Sequence, residues 1–129
     1  MTSIFTKIIK GDIPSHKLIE NDLFYSFLDI NPIAPGHSLV IPKIEIDEFF
    51  DLDNHLLSEI LVFAKPLSSA LKKTIPCNRV GLIVAGLEVP HAHLHLVPIQ
   101  STSQLSFEHA KPAIAEELAI LREKIISNI

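Results

Sequence analysis

Three histidines alternate with apolar residues in the stretch Pro90-His91-Ala92-His93-Leu94-His95-Leu96-Val97-Pro98, which prolines bracket. An alternation with a period of two residues is typical of a half-buried β-strand. We therefore expect the three imidazoles to share one strand face, about 6.5–7 Å apart, and to line one site. The intervening apolar residues are expected to point into the core. Histidines clustered in this way indicate a functional site rather than an ordinary solvated surface.

The patterns on either side of this run predict the other elements of an α+β fold. Residues 3–10 have apolar side chains at helical spacing and are followed by Gly11, a typical helix stop. Asp53 or Asn54 can cap a long amphipathic helix, which Pro66 should kink or divide. The other predicted elements are strands over Lys17–Glu20, Leu23–Ile30, Ser38–Ile41 and Arg79–Val84, a short helix within Glu45–Asp53, and a C-terminal helix with Pro112 in its first turn and a stripe of Ile114, Leu118, Leu121 and Ile125.

Composition limits the possible classes of function. The chain has 129 residues, 47% of them hydrophobic, which suits one domain over residues 1–129. The net charge is −4 and there is no basic run, so a nucleic-acid-binding surface is not expected. No stretch approaches about 18 uninterrupted apolar residues, and no signal-peptide pattern opens the chain, so no membrane association is expected. A single cysteine, Cys77, excludes an intramolecular disulfide and predicts a cytoplasmic protein.

Two kinds of chemistry fit three histidines on one strand face. One is metal binding, because neutral imidazole is a common zinc ligand and His-x-His on a strand can chelate. A metal site would need a further ligand, for which His37 is the obvious candidate. The other is nucleophilic or acid–base catalysis, since a neutral imidazole is a good nucleophile near pH 7.

Four stretches resemble, in order, the histidine triad (HIT) family. The run His91–Val97 fits the family signature, in which three histidines alternate with apolar residues. Upstream, Ile4–Pro14 resembles the opening segment of the family, Phe27–Pro32 its ribose loop, and Ala34–Lys43 its next strand. The resemblance implies the HIT fold, a five-stranded antiparallel sheet with flanking helices, and a homodimer.

The resemblance also implies a nucleotide hydrolase or nucleotidyl transferase that acts on phosphoramidates or dinucleoside polyphosphates. By this similarity, His93 attacks the α-phosphorus of a purine nucleotide and forms a nucleotidyl-histidine. His95 would contact the phosphate or donate a proton, and His91 and His37 would orient the other imidazoles. Protonated flanking imidazoles would place positive charge beside the phosphate. This route requires no metal and no cofactor.

The nucleotide-binding residues follow from the same resemblance. By pattern alone, Asp29 is expected to be a turn residue, and His37 is expected to be a hydrogen-bonded polar residue without a catalytic role. By resemblance, the Asp29 carboxylate would accept hydrogen bonds from the ribose hydroxyls. The remaining nucleotide-pocket candidates are Ile4, Phe5, Ile8, Ile30 and Glu88.

Two departures from the family pattern bear on function. Many relatives hold a structural zinc with two cysteines and two histidines, but the corresponding residues here are Ser3, Thr6, Glu45 and His91, so we expect no structural zinc. Relatives also place a glutamine, which contacts phosphate, just before the triad, where this chain has Leu87. Losing one such donor typically costs about 3 kcal/mol of transition-state stabilisation. Two alternatives to the enzyme therefore stay open, namely a nucleotide-binding module with little turnover and a histidine-ligated metallohydrolase.

Overall fold

The computed structural model describes residues 2–129 and confirms the predicted α+β fold. Five strands form one antiparallel sheet in the order β1-β2-β3-β5-β4. Among the described residues, no helix has the length and apolar character needed to cross a membrane. The helices are Ile4–Ile9 (α1), Asn54–Thr74 (α2) and Ala115–Ser127 (α3), and the strands are Lys17–Glu20 (β1), Phe24–Leu28 (β2), Ser38–Pro42 (β3), Arg79–Ile83 (β4) and Leu94–Ile99 (β5).

Local sequence signals set three helix ends, of which the Gly11 stop and the Asp53 cap were predicted. Ser3 caps α1, because its Oγ accepts a hydrogen bond from the Thr6 backbone N–H at 3.0 Å. Gly11 follows α1 with a φ of +83°, a conformation that favours glycine. Asp53 caps α2 in the same way, since its Oδ1 accepts from the Leu56 N–H at 2.8 Å.

Three helix predictions need correction. Pro66 does not divide α2, which runs on through the exposed proline with Ala64 and Leu67 buried in the core, and the kink stays a prediction. Helix α3 begins after Pro112, since the Ala113 N–H donates to the Ile30 carbonyl oxygen and holds this segment out of the helix. Ile114 caps α3 and is 60% exposed, so it is not part of the buried stripe. The predicted helix within residues 45–53 is only a short 3-10 turn over Phe49–Asp51.

The histidine strand is also shorter than predicted. Strand β5 begins at Leu94, so His91 and His93 precede it. We call the segment His91–His93 the lead-in to β5. The Ala92 N–H donates to the Ile46 carbonyl oxygen at 2.7 Å, so the lead-in pairs with the loop after β3 and not with a strand. Pairing with β3 starts only where Val40 meets Leu94, although β3 itself continues to Pro42.

The two faces of the sheet have different coverings. One face packs against α2 and α3 and forms the main core. The other face packs against α1 through Phe27, Leu39 and Ile41, among other residues. Alternation along β5 places Leu94 and Leu96 in the main core, as predicted, and His95 on the α1 side. The open space beside α1 is where the candidate site lies.

Candidate active site

A cleft of about 400 Å³ lies on the α1 side of the sheet. Its floor is formed by β2, β3 and the histidine run, and its rim by the loop between β4 and β5. Eight of the predicted site residues line it: Ile4, Phe5, Ile8, Asp29, Ile30, Glu88, His93 and His95. The other two, His37 and His91, lie outside it and are fully buried. The expectation that all three triad imidazoles line one site is therefore wrong for His91.

His93 lies in the floor of the cleft with a defined tautomer. Its Nδ1 is 2.6 Å from the His91 carbonyl oxygen, which can only accept, so Nδ1 carries the proton. The lone pair is therefore on Nε2. The ring packs edge-on against Phe5, at 5.1 Å between centroids, and against His95, at 5.0 Å. This spacing is closer than expected for a regular strand, because His93 lies just outside β5.

His95 and His37 form a second directed hydrogen-bond pair. The Ile33 N–H donates to Nδ1 of His37 at 2.9 Å, so the proton of a neutral His37 is on Nε2. That Nε2–H donates to Nδ1 of His95 at 2.8 Å. The proton of His95 is consequently on its own Nε2. A backbone amide thus sets the tautomers of two successive imidazoles.

Burial keeps both members of this pair neutral. It lowers the pKa of His37 to about 4, and burial together with the neighbouring His37 and His93 lowers the pKa of His95 to about 3. The expectation of protonated flanking imidazoles is therefore wrong at neutral pH. His95 offers an N–H hydrogen-bond donor rather than a positive charge.

Asp29 is a turn residue, as its pattern predicts, and it also lines the cleft. Its Oδ1 accepts a hydrogen bond from the Asn31 N–H at 2.8 Å, which is a turn interaction. Its Oδ2 lies 3.5 Å from Nε2 of His37, and the residue also lines the cleft. Burial raises the pKa of this carboxyl group, with the Asn31 hydrogen bond opposing the shift. A half-buried carboxylate that keeps spare acceptor capacity suits hydroxyl groups as ligands.

His91 belongs to a separate polar cluster at the N-terminal end of α1. Ser3, Thr6, Glu45 and His91, which we call the N-terminal cluster, are joined by hydrogen bonds. By the family resemblance, they correspond to the positions of a structural zinc. Two of the four side chains are hydroxyls, whereas protein zinc sites use Cys, His, Asp and Glu, so this donor set does not fit the metal.

The metallohydrolase alternative requires the triad imidazoles to converge, and they do not. Nε2 of His91 donates to the Pro42 carbonyl oxygen at 2.8 Å, and its Nδ1 lies 2.7 Å from Ser3 Oγ. Both nitrogens are therefore engaged away from the cleft. Within residues 2–129, the one set of three metal-ligating groups close together is Asp29, His37 and His95. In that set, both nitrogens of His37 are already hydrogen-bonded.

Sequence reasoning missed Phe107, which lines the cleft from the connection after β5. Its ring lies 5.0 Å from that of His95, edge-on. The available signal was that Phe107 is the one Phe, Tyr or Trp between residues 100 and 111. Two aromatic rings, Phe5 and Phe107, thus flank the His93–His95 pair from opposite sides.

Comparisons with known proteins agree with this geometry. The HIT domain family model matches residues 10–102. Adenosine 5'-monophosphoramidase HNT1 of Saccharomyces cerevisiae is 44% identical over 96 residues, which cover 74% of this chain and 61% of the yeast protein. The enzyme of the same name from Schizosaccharomyces pombe is 34% identical and covers 100% of this chain and 99% of its own. The crystal structure of a HIT-like protein from Bartonella henselae matches with a TM-score of 0.87 and 28% identity, covering 99% of this chain and 96% of that one.

Proposed function

Because the chain belongs to the histidine triad family, we propose that it is a nucleotide hydrolase or nucleotidyl transferase acting through a covalent nucleotidyl-His93. The proposed substrates are purine nucleotide phosphoramidates or dinucleoside polyphosphates. Two fungal relatives named adenosine 5'-monophosphoramidase support the phosphoramidates. The observation that carries the proposal is the hydrogen bond between His93 Nδ1 and the His91 carbonyl oxygen, because it leaves the lone pair on Nε2.

The proposed chemistry has two displacement steps at the α-phosphorus. Nε2 of His93 bonds to phosphorus. The bond to the leaving group breaks, and the leaving group departs with the electron pair and takes a proton from water. The imidazole gains positive charge as the new bond forms, and the His91 carbonyl oxygen 2.6 Å from Nδ1 stabilises that charge. Water then attacks phosphorus and gives up a proton to solvent, the bond to Nε2 breaks with its electron pair returning to the imidazole, and the nucleoside monophosphate is released. If an acceptor other than water attacks the same intermediate, the nucleotidyl group is transferred to that acceptor.

His95 would hold the phosphoryl group during both steps. Its Nδ1 accepts from His37, so its Nε2–H is directed as a donor. A donor that is already oriented stabilises developing charge without reorganisation at the moment of reaction. In this proposal His37 acts through His95 as a positioning residue and does not touch the substrate.

The nucleoside would occupy the α1 end of the cleft. Ile4, Phe5 and Ile8 offer an apolar wall suited to a flat base, while the Asp29 carboxylate at the edge of β2 can accept from ribose hydroxyls. Ile30 is largely exposed at the same edge, and Glu88 lies on the opposite rim. This arrangement would place the α-phosphate over His93 and His95.

Trapping the intermediate tests this proposal directly. The protein is mixed with adenosine phosphoramidate, and its intact mass is measured after a brief quench without acid. We expect a mass gain of one adenylyl group in the wild type and in His55→Ala, an exposed histidine on α2. His93→Ala should show neither the adduct nor release of adenosine monophosphate. Wild-type turnover by His93→Ala would refute the mechanism.

A second candidate function is a nucleotide-binding module with little turnover. Leu87 favours it, because this residue is 94% exposed on the rim of the cleft and its side chain has no hydrogen-bond donor. Tight binding of adenosine monophosphate with no adduct and no hydrolysis of phosphoramidates or dinucleotides would select this candidate.

The proposal also includes one domain over the whole chain, a homodimer and a cytoplasmic location. The homodimer is supported by β4, which lies at the edge of the sheet with Leu82 about half exposed. The location is supported by the lone Cys77. Analytical ultracentrifugation tests the homodimer.

A further inference from the structure

The N-terminal cluster joins three segments that are far apart in the chain. The Glu45 carboxylate accepts hydrogen bonds from the Ser3 N–H and the Thr6 hydroxyl, both at 2.6 Å. Ser3 Oγ lies 2.7 Å from Nδ1 of His91, in a buried contact. The cluster thus links the start of α1, the loop after β3 and the lead-in to β5.

The hydrogen bonds of the cluster have one consistent direction when His91 is neutral. Nε2–H of His91 donates to the Pro42 carbonyl oxygen, so Nδ1 must accept, and its donor is the Ser3 hydroxyl. The single Ser3 hydroxyl proton is then committed, and the Thr6 hydroxyl donates to Glu45. Burial lowers the pKa of His91, which favours this neutral form.

Glu45 is the terminal acceptor of the cluster and its one anionic group. Hydrogen bonds from the Ser3 N–H and then the Thr6 hydroxyl lower the pKa of this carboxyl to about 2, so it stays ionised at neutral pH. The next residue, Ile46, accepts a hydrogen bond from the Ala92 N–H at 2.7 Å. Consecutive residues of one loop therefore hold both α1 and the backbone between His91 and His93.

The position of His91 matters because its carbonyl oxygen sets the tautomer of His93. This oxygen is the acceptor 2.6 Å from Nδ1 of His93. The ring of Phe5, two residues after Ser3, packs edge-on against both imidazoles, at 5.8 Å from His91 and 5.1 Å from His93. A displacement of α1 from the lead-in would therefore disturb the nucleophile from two sides.

We propose that Glu45 is a positioning residue for His93, acting through Ser3, Thr6 and His91. The carboxylate holds α1 against the lead-in to β5 by hydrogen bonds alone, at the positions where relatives use a metal. Removing the acceptor releases the Thr6 hydroxyl and the Ser3 backbone, and with them the fixed place of the His91 carbonyl oxygen. The proposal rests on the proposed role of His93 as the nucleophile.

The test compares Glu45→Ala, which removes the acceptor oxygen, with Glu48→Ala, at an exposed glutamate of the same segment. With adenosine phosphoramidate, Glu45→Ala should lower kcat by about 10-fold or more. Its affinity for adenosine monophosphate should fall by less than kcat does, because Glu45 itself does not line the cleft. In 15N-histidine NMR spectra, the His93 signal should change from one tautomer to a mixture. Glu48→Ala should match the wild type in all three measurements.

A second pair of variants checks the path from Glu45 to His91. Thr6→Val removes the hydroxyl that donates to Glu45 and should show the same loss, while Thr6→Ser keeps a hydroxyl and should resemble the wild type. An unchanged His93 spectrum in Glu45→Ala overturns the proposal, whether or not kcat falls, and so does an unchanged kcat. If the wild type itself is inactive, the proposed function fails, and the spectra alone decide the role of Glu45.

Discussion

Nε2 of His37 donates a hydrogen bond to Nδ1 of His95 at 2.8 Å, and the Ile33 N–H in turn donates to His37. Two neutral rings are thereby locked into single tautomers by one backbone amide. His37 is fully buried outside the cleft, whereas His95 lines it. The position of the β2–β3 loop therefore determines how the His95 ring is oriented in the cleft.

Replacing His37 by phenylalanine should slow the reaction more than it weakens binding. The variant leaves Nδ1 of His95 without its donor, so either tautomer of His95 becomes available. We expect kcat to fall by about 10- to 100-fold, which is only a part of the rate enhancement that a positioned acid–base group usually provides. The Kd for adenosine monophosphate should change little, as titration calorimetry would show. A wild-type kcat in His37→Phe would contradict this interpretation.

Stability should fall as the pH drops from neutral towards 5. The pKa values of His37 and His95 are about 4 and about 3 in the folded protein, against an ordinary value of 6.5. Below pH 6.5 the unfolded chain therefore binds more protons than the native protein, and stability is lost as the pH falls towards the folded pKa values. Urea unfolding at pH 7.5, 6 and 5 measures the slope, which should be shallower in His37→Phe. Equal slopes would show that burial does not hold His37 neutral.

Gly36, immediately before His37, should tolerate a side chain less well than Gly11. Both have positive φ, +88° and +83°, which costs an alanine about 1–2 kcal/mol. A Cβ at Gly36 would also lie 3.0 Å from Ile75 and 3.1 Å from Pro98, whereas nothing lies within 4 Å of one at Gly11. Overpacking typically adds about 1–3 kcal/mol. Chemical denaturation should therefore show a larger loss for Gly36→Ala than for Gly11→Ala, and equal losses would rule out the packing contribution.

Leu87→Gln should raise turnover if a missing donor limits the reaction. The residue lies on the rim of the cleft, so an amide there can reach a bound phosphate without repacking the core. One oriented donor is typically worth about 100-fold in kcat, and an exposed one should give less, about 10-fold. Release of adenosine monophosphate measures the change, with Leu87→Met as a control of similar size. No gain over Leu87→Met would mean that the leucine does not limit turnover.

Local signals in the sequence determined much of this protein. The period of two along β5 placed Leu94 and Leu96 opposite His95, because side-chain alternation is a property of the strand itself. Helix caps such as Asp53 act within one turn, and they also were predictable. The resemblance of whole stretches to a family indicated eight residues that the structure brings to one cleft.

Only the tertiary structure decided which imidazoles face that cleft and which of them stay neutral. Ser3 and Glu45 are 42 positions apart, and the hydrogen bond between them has no local signal. The neutrality of His37 and His95 depends on burial by segments from across the chain, as does the placement of Phe107. Hydrogen bonds and desolvation of this kind depend on how distant segments pack, whereas propensity and periodicity describe only neighbours along the chain.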